Sequence, residues 1–105
     1  MDDAQAPHPR ARLVDPLHHP VRFSLAAALA HADSMEFREA RDLLQVSDSV
    51  LSKQASQLEA AGLVRIKKGH VGKRPRTWLS LTPEGHGKWR QHLQALQDIA
   101  EGRAP

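Results

Sequence analysis

A small α+β domain, mainly helical, is the fold the sequence predicts: a three-helix core, then a two-stranded β-hairpin, then one more helix. Three observations carry that prediction. Apolar residues recur at helical spacing in four separate segments. Between the third and fourth of these, apolar and polar residues alternate around two glycines. The chain has 105 residues, enough for one hydrophobic core and no second.

Residues 1–12 mix Pro, Ala and charge without a period, so they are expected to form a flexible arm that tightens near Leu13 and Val14. The folded domain is expected over residues 13–101. Asp15 and Pro16 suggest a short helical turn, and Pro20 suits a helix start, where its missing N–H costs nothing. Val21, Leu25, Ala28, Leu29 and Ala32 then share one helical face, with Phe23 beside it, which predicts a helix over about residues 20–32. Residues 34–36 hold no more than a stub of strand.

Phe37, Ala40, Leu43 and Leu44 give a second helix over about 37–44, after which Gln45 and Val46 break the period. Ser47 is a natural N-cap, and Asp48 suits the positive end of the helix that follows. Leu51, Ala55, Leu58 and Ala61 place its apolar side inward over 48–61, and Gly62 fits the left-handed position that ends it. Val64 and Ile66 alternate with Arg65 and Lys67, Gly69 and Gly72 frame a basic turn, and residues 77–81 alternate again. Thr82 caps and Pro83 opens the last helix, whose Trp89, Leu93, Leu96 and Ala100 form an apolar stripe.

This order of helix, helix, short turn, helix and basic hairpin is that of a winged helix-turn-helix. Charge agrees with it. Fifteen Lys and Arg against twelve Asp and Glu leave a net charge of only +3, yet residues 60–83 contain no acid. Arg65, Lys67, Lys68, Lys73, Arg74 and Arg76 all fall there, so a local positive field stands beside a near-balanced remainder.

The segment SDSVLSKQASQLEAAGLVRIKKG resembles the recognition helix and first wing strand of MarR-like and ArsR-like winged helix regulators. LHHPVRFSLAAALA is similar to the first helix of that family, FREARDLLQVS to its second helix and turn. HVGKRPRTWLSLTPEGHGKW is similar to its wing, closing strand and entry to the last helix. The resemblance covers about residues 13–96, with Gly-Leu-Val after the recognition helix and Leu-Thr-Pro-Glu-Gly after the wing its most specific parts. It implies a dimeric regulator of transcription that binds double-stranded DNA, acting by repression. The chain lacks the longer terminal helices from which many MarR-like proteins build an effector pocket, so the effector stays open.

The expected DNA-reading residues on helix 48–61 and its cap are Ser47, Asp48, Ser49, Val50, Ser52, Lys53, Gln54 and Gln57, whose hydroxyls, amides and cation suit base edges and phosphates in a major groove. In the wing, over 67–76, Lys67, Lys68, His70, Lys73, Arg74 and Arg76 suit the DNA backbone or an adjacent minor groove. Trp89, Leu93, Leu96 and Ala100, on helix 83–101, are expected to pair two protomers over a pseudo-palindromic operator. A second reading is a winged-helix module for protein association, in which the basic wing meets an acidic partner.

Other chemistries find little footing. With no cysteine there is no disulfide and no thiolate for a metal or redox site. His86 and His92 stand about 240° apart round a helix, so they do not form a two-ligand face, and no metal or other cofactor is expected. No Gly-rich phosphate loop follows a strand, and no Ser, His and acid set forms a recognisable motif, so no enzyme activity is expected. The two Phe and two Trp are needed for the core before any stacking on bases. No apolar run is long enough for a membrane span and no signal peptide opens the chain, so the expected compartment is the cytoplasm.

Overall fold

The computed structural model describes residues 7–103. The helices are α1 (Pro20–Ala30), α2 (Phe37–Leu44), α3 (Asp48–Ala60) and α4 (Pro83–Ala100), and the strands are β1 (Met35–Glu36), β2 (Val64–Val71) and β3 (Arg74–Leu81). Short 3-10 turns at Pro9–Arg12 and Asp15–Leu17 precede them.

Three of the four helices, α1, α3 and α4, start where a side chain accepts an otherwise unpaired backbone N–H, while Glu36 opens α2 without such a bond. His19 Nδ1 accepts from Val21 N at 3.1 Å to open α1, Ser47 Oγ from Val50 N at 3.2 Å to open α3, and Thr82 Oγ1 from Gly85 N at 2.9 Å to open α4. α1 ends at Ala30, two residues before the expected limit, with His31 as its C-cap. Gly62, at φ 80°, turns the chain out of α3 while Leu63 N donates to the Leu58 carbonyl at 2.9 Å, the pairing that leaves fewest orphan acceptors at a helix end. Gln45 does the same for α2 without being glycine, at φ 56°.

The core is one cluster. Leu25 and Leu29 of α1, Leu51, Ala55 and Leu58 of α3, Leu79 of β3 and Trp89 of α4 are all buried in it. Phe23 packs on Trp89 with ring centroids 5.0 Å apart.

β2 and β3 form the expected antiparallel hairpin, in a register that sets Val64 opposite Leu81, Lys67 opposite Trp78 and Val71 opposite Arg74. The stub before α2 does more than expected. As β1 it pairs with β3, Met35 opposite Leu79 and Glu36 opposite Trp78, giving a three-stranded sheet in the order β1, β3, β2. Met35 buries its side chain there, which is what makes so short a strand worth forming.

The hairpin and α4 close back on the end of α3. Thr82 N donates to the Leu63 carbonyl at 3.0 Å, and Thr82 Oγ1 donates to the Gly62 carbonyl at 2.7 Å. Gly85 fits against the same backbone, for a Cβ there would stand 2.0 Å from the Leu63 carbonyl oxygen. The Gly-Leu-Val and Leu-Thr-Pro-Glu-Gly segments are thus two halves of one joint.

The flexible arm expected over residues 1–12 needs correction where it is described. Residues 1–6 lie outside the described residues, but Pro9–Arg12 is a 3-10 turn fixed on α4. Arg12 Nη2 donates to Asp98 Oδ2 at 2.7 Å, Gln91 Nε2 donates to the Arg12 carbonyl at 2.9 Å, and Pro9 is buried. A segment without helical period is held here by pairings with a distant helix.

Candidate nucleic-acid interface

α2, the turn at Gln45 and α3 form the helix-turn-helix, and β2 with β3 projects beside α3 as the wing. Between α3 and the wing lies an open cleft of about 620 Å³, walled by Ser52, Ser56 and Glu59 on one side and Ile66, Lys68 and Thr77 on the other. Glu59 Oε2 accepts from Ile66 N at 3.3 Å and fixes the angle between the two walls.

The expected reading residues of α3 divide into two groups. Ser49, Val50, Ser52 and Lys53 are exposed on one surface of the helix. Ser47 and Asp48 are also exposed but are engaged within the chain: Ser47 caps α3, and Asp48 accepts from Arg41 Nη1 at 2.9 Å. Asp48, with Asp42 next in effect, raises the Arg41 pKa and keeps that guanidinium charged beside the turn.

Gln54 was expected to face DNA and does not. It is buried at 8% exposure, and its Oε1 accepts from Arg22 Nη1 at 2.7 Å. The same nitrogen donates to Gln57 Oε1 at 3.1 Å, and Arg22 Nε donates to the Pro16 carbonyl at 2.6 Å. A guanidinium on α1 therefore draws Gln54 inward and occupies the oxygen of Gln57, which stays exposed. Position round the helix separates them: Gln54 adjoins Ala55 and follows Leu51 by three, on the edge of the buried stripe. Arg22 is the residue sequence reasoning missed, because its partners lie 32 and 35 positions away and no local pattern points to them.

In the wing, Lys67, Lys68, His70, Lys73 and Arg74 are exposed, with Gly72 in the left-handed region at φ 62° turning the tip. Arg76 was expected among them and is not free. Its Nε lies 3.0 Å from Glu36 Oε1, and its side chain is only 18% exposed, so it ties the wing base to β1. That pairing exists because the stub became a strand. Trp78 lies over Gly69, where an added Cβ would come within 3.2 Å of Cζ3, and is half-buried on the sheet face away from α3.

The expected pairing stripe also changes. Trp89 is buried against Phe23 in its own core, so a partner cannot reach it, and Leu93 packs partly on the same core. Leu96 lines a shallow groove of about 400 Å³ with Leu17, His18, His19, Pro20 and Phe23, and Ala100 is exposed.

The histidines serve as backbone acceptors where they are engaged. His8 Nδ1 accepts from Arg10 N at 3.0 Å, and His92 Nδ1 accepts from Val14 N at 2.9 Å. Among the described residues, no group of three His or acidic side chains is clustered to hold a metal ion. No helix of the described residues is long and apolar enough to cross a membrane.

A helix-turn-helix whose third helix exposes hydroxyls and a lysine beside a cationic hairpin defines a winged-helix DNA-binding protein. The chain belongs to the winged helix DNA-binding domain family, whose model matches residues 21–100. No curated protein matches it.

Solved structures agree with that assignment. The transcriptional regulator homologue from Pyrococcus horikoshii OT3 is 26% identical, with a TM-score of 0.79 over 84% of this chain and 87% of that one. The haem sensor protein PefR from Streptococcus agalactiae is 25% identical, with a TM-score of 0.74 over 90% of this chain and 65% of that one. A MarR family transcriptional regulator from Silicibacter pomeroyi DSS shares the fold at 22% identity, with a TM-score of 0.67 over 84% of this chain and 58% of that one. The protein is a DNA-binding transcription regulator with MarR-like neighbours.

Proposed function

We propose that the protein is a dimeric, sequence-specific repressor that sets α3 in the major groove of a pseudo-palindromic operator and lays its wing, residues 67–76, along the backbone or an adjacent minor groove. The observation that carries this reading is one open cleft lined by Ser52 of α3 and Lys68 of the wing, with Ser49 and Lys53 exposed on the same helix and Lys73 and Arg74 exposed at the wing tip. Hydroxyls and a lysine suit base edges and phosphates, while the wing cations supply the salt-dependent attraction common to all duplexes.

Residues 13–101 act as the DNA-binding unit in this reading, with Leu96, Ala100 and the exposed part of Leu93 on 83–101 pairing two protomers. Two copies related by a two-fold axis present two recognition helices to half-sites one helical turn or more apart. Binding blocks a promoter, involves no catalytic step, and takes place in the cytoplasm.

Selection from a random duplex library at two salt concentrations tests the reading, with sedimentation equilibrium alongside. An enriched inverted repeat and a dimer at micromolar concentration are expected. Failure to enrich any duplex would overturn DNA recognition, and a monomer under the same conditions would overturn the pairing.

A further inference from the structure

The protein's own contacts decide which side chains of α3 are left to read bases. Adenine is ordinarily read by an amide that accepts and donates together. Gln54 is buried on Arg22 and cannot do so, and the exposed Gln57 already spends one lone pair of its oxygen on the same guanidinium. Ser47 is committed to the cap and Asp48 to Arg41. The Ser49 hydroxyl shares a hydrogen bond with that of Ser47 at 3.2 Å, so what stays open is two hydroxyls, Ser52 and Ser56, a cation, Lys53, and one aliphatic side chain, Val50.

Val50 is the odd member. It is 39% exposed in the first turn of α3, the turn that enters a groove deepest, and its backbone N–H is fixed by the Ser47 hydroxyl at 3.2 Å. A β-branched residue gains nothing in a solvated helix turn, where its rotamer is restricted and its methyls meet water. Among the described residues the other large exposed aliphatic side chains are Leu43 on α2 and Val71 at the wing tip, so Val50 is the apolar contact that α3 itself offers.

We infer that Val50 recognises the C5-methyl group of thymine, so that the protein separates thymine from bases lacking that methyl by apolar contact rather than by a hydrogen bond. In the major groove, that methyl is the one apolar feature a base pair presents. The inference rests on the DNA-binding reading above and names the chemical group that α3 selects.

The test uses the duplex enriched from the random library, synthesised with thymine or with uracil, which differs only by the methyl. Wild-type protein is expected to bind the uracil duplex about three- to fivefold more weakly for each methyl buried. Val50→Ala keeps an exposed helical position and raises helix propensity. With a shorter apolar side chain left in place, it is expected to separate the two duplexes less than the wild type does.

Tight and equal binding of both duplexes by the wild type would overturn the inference and leave DNA recognition standing. Discrimination undiminished in Val50→Ala, or an enriched half-site without thymine, would overturn it as well. If no duplex is enriched, the DNA-binding reading falls and takes this inference with it.

Discussion

The backbone N–H of Val14 donates to Nδ1 of His92 at 2.9 Å, a buried bond between residues 78 positions apart. It fixes the imidazole in the form protonated at Nε2, since Nδ1 must accept. Burial, and then the charge of His18, lowers the His92 pKa from its ordinary value of 6.5.

Stability should therefore fall on acidification. The unfolded chain takes up a proton near pH 6.5 while the native one resists until a lower pH, so stability is full above 6.5 and declines as pH falls from there toward the native value. Denaturant midpoints measured from pH 7.5 to 5 should drop for the wild type, and the drop should be smaller in His92→Gln. His92→Ala leaves the Val14 N–H without a partner and should cost about 1–3 kcal/mol at pH 7.5 from that loss alone.

Lys53 is exposed and its neighbour Gln54 is buried, so the proposed reading gives them opposite duties. Lys53→Ala should change stability by less than about 0.5 kcal/mol while altering the sequences enriched from a random library. Gln54→Ala removes an acceptor from Arg22 and should cost about 1–2 kcal/mol, with the enriched sequence retained. Thermal unfolding and library selection on the two variants separate these effects.

The wing cations should divide in the same manner. Replacing Lys73 and Arg74 together by Ala should weaken binding to every duplex and reduce the slope of log affinity against log salt by about 2. Arg76→Ala breaks the tie to Glu36 and should leave that slope unchanged. Equal slopes for the double variant and the wild type would remove Lys73 and Arg74 from the phosphate contacts.

Two glycines of α4 offer a direct contrast. Gly85→Ala drives a Cβ into the Leu63 carbonyl and should cost about 3 kcal/mol or more. Gly87 has nothing within 4 Å of the same added atom, so Gly87→Ala should gain about 1 kcal/mol from helix propensity. Melting temperatures should move in opposite directions.

Local signals made the helices and the hairpin legible in the sequence. Ser47 and Gly62 act within a few residues of themselves, as Thr82 does where it caps α4, and the apolar stripes of α3 and α4 repeat at the helical period. What escaped was pairing at long range. Arg22 reaches Gln54, Arg76 reaches Glu36, and Arg12 reaches Asp98, each across a separation that periodicity does not register. These three arginines corrected two DNA-facing assignments and the extent of the arm. Trp89 was legible as apolar, but an apolar stripe alone does not say whether its own core or a partner covers it.

The joint built by Gly62, Leu63, Thr82 and Gly85 has a mechanical meaning. α4 has 18 residues and so measures about 27 Å, and its first turn is pressed without clearance on the backbone that ends α3. It works as a lever whose fulcrum stands beside the reading head. A torque applied near Ala100 is delivered to α3 instead of being lost in a slack hinge. In the proposed dimer, the spacing between the two copies of α3 would then follow the stiffness of these four residues at the near end of α4.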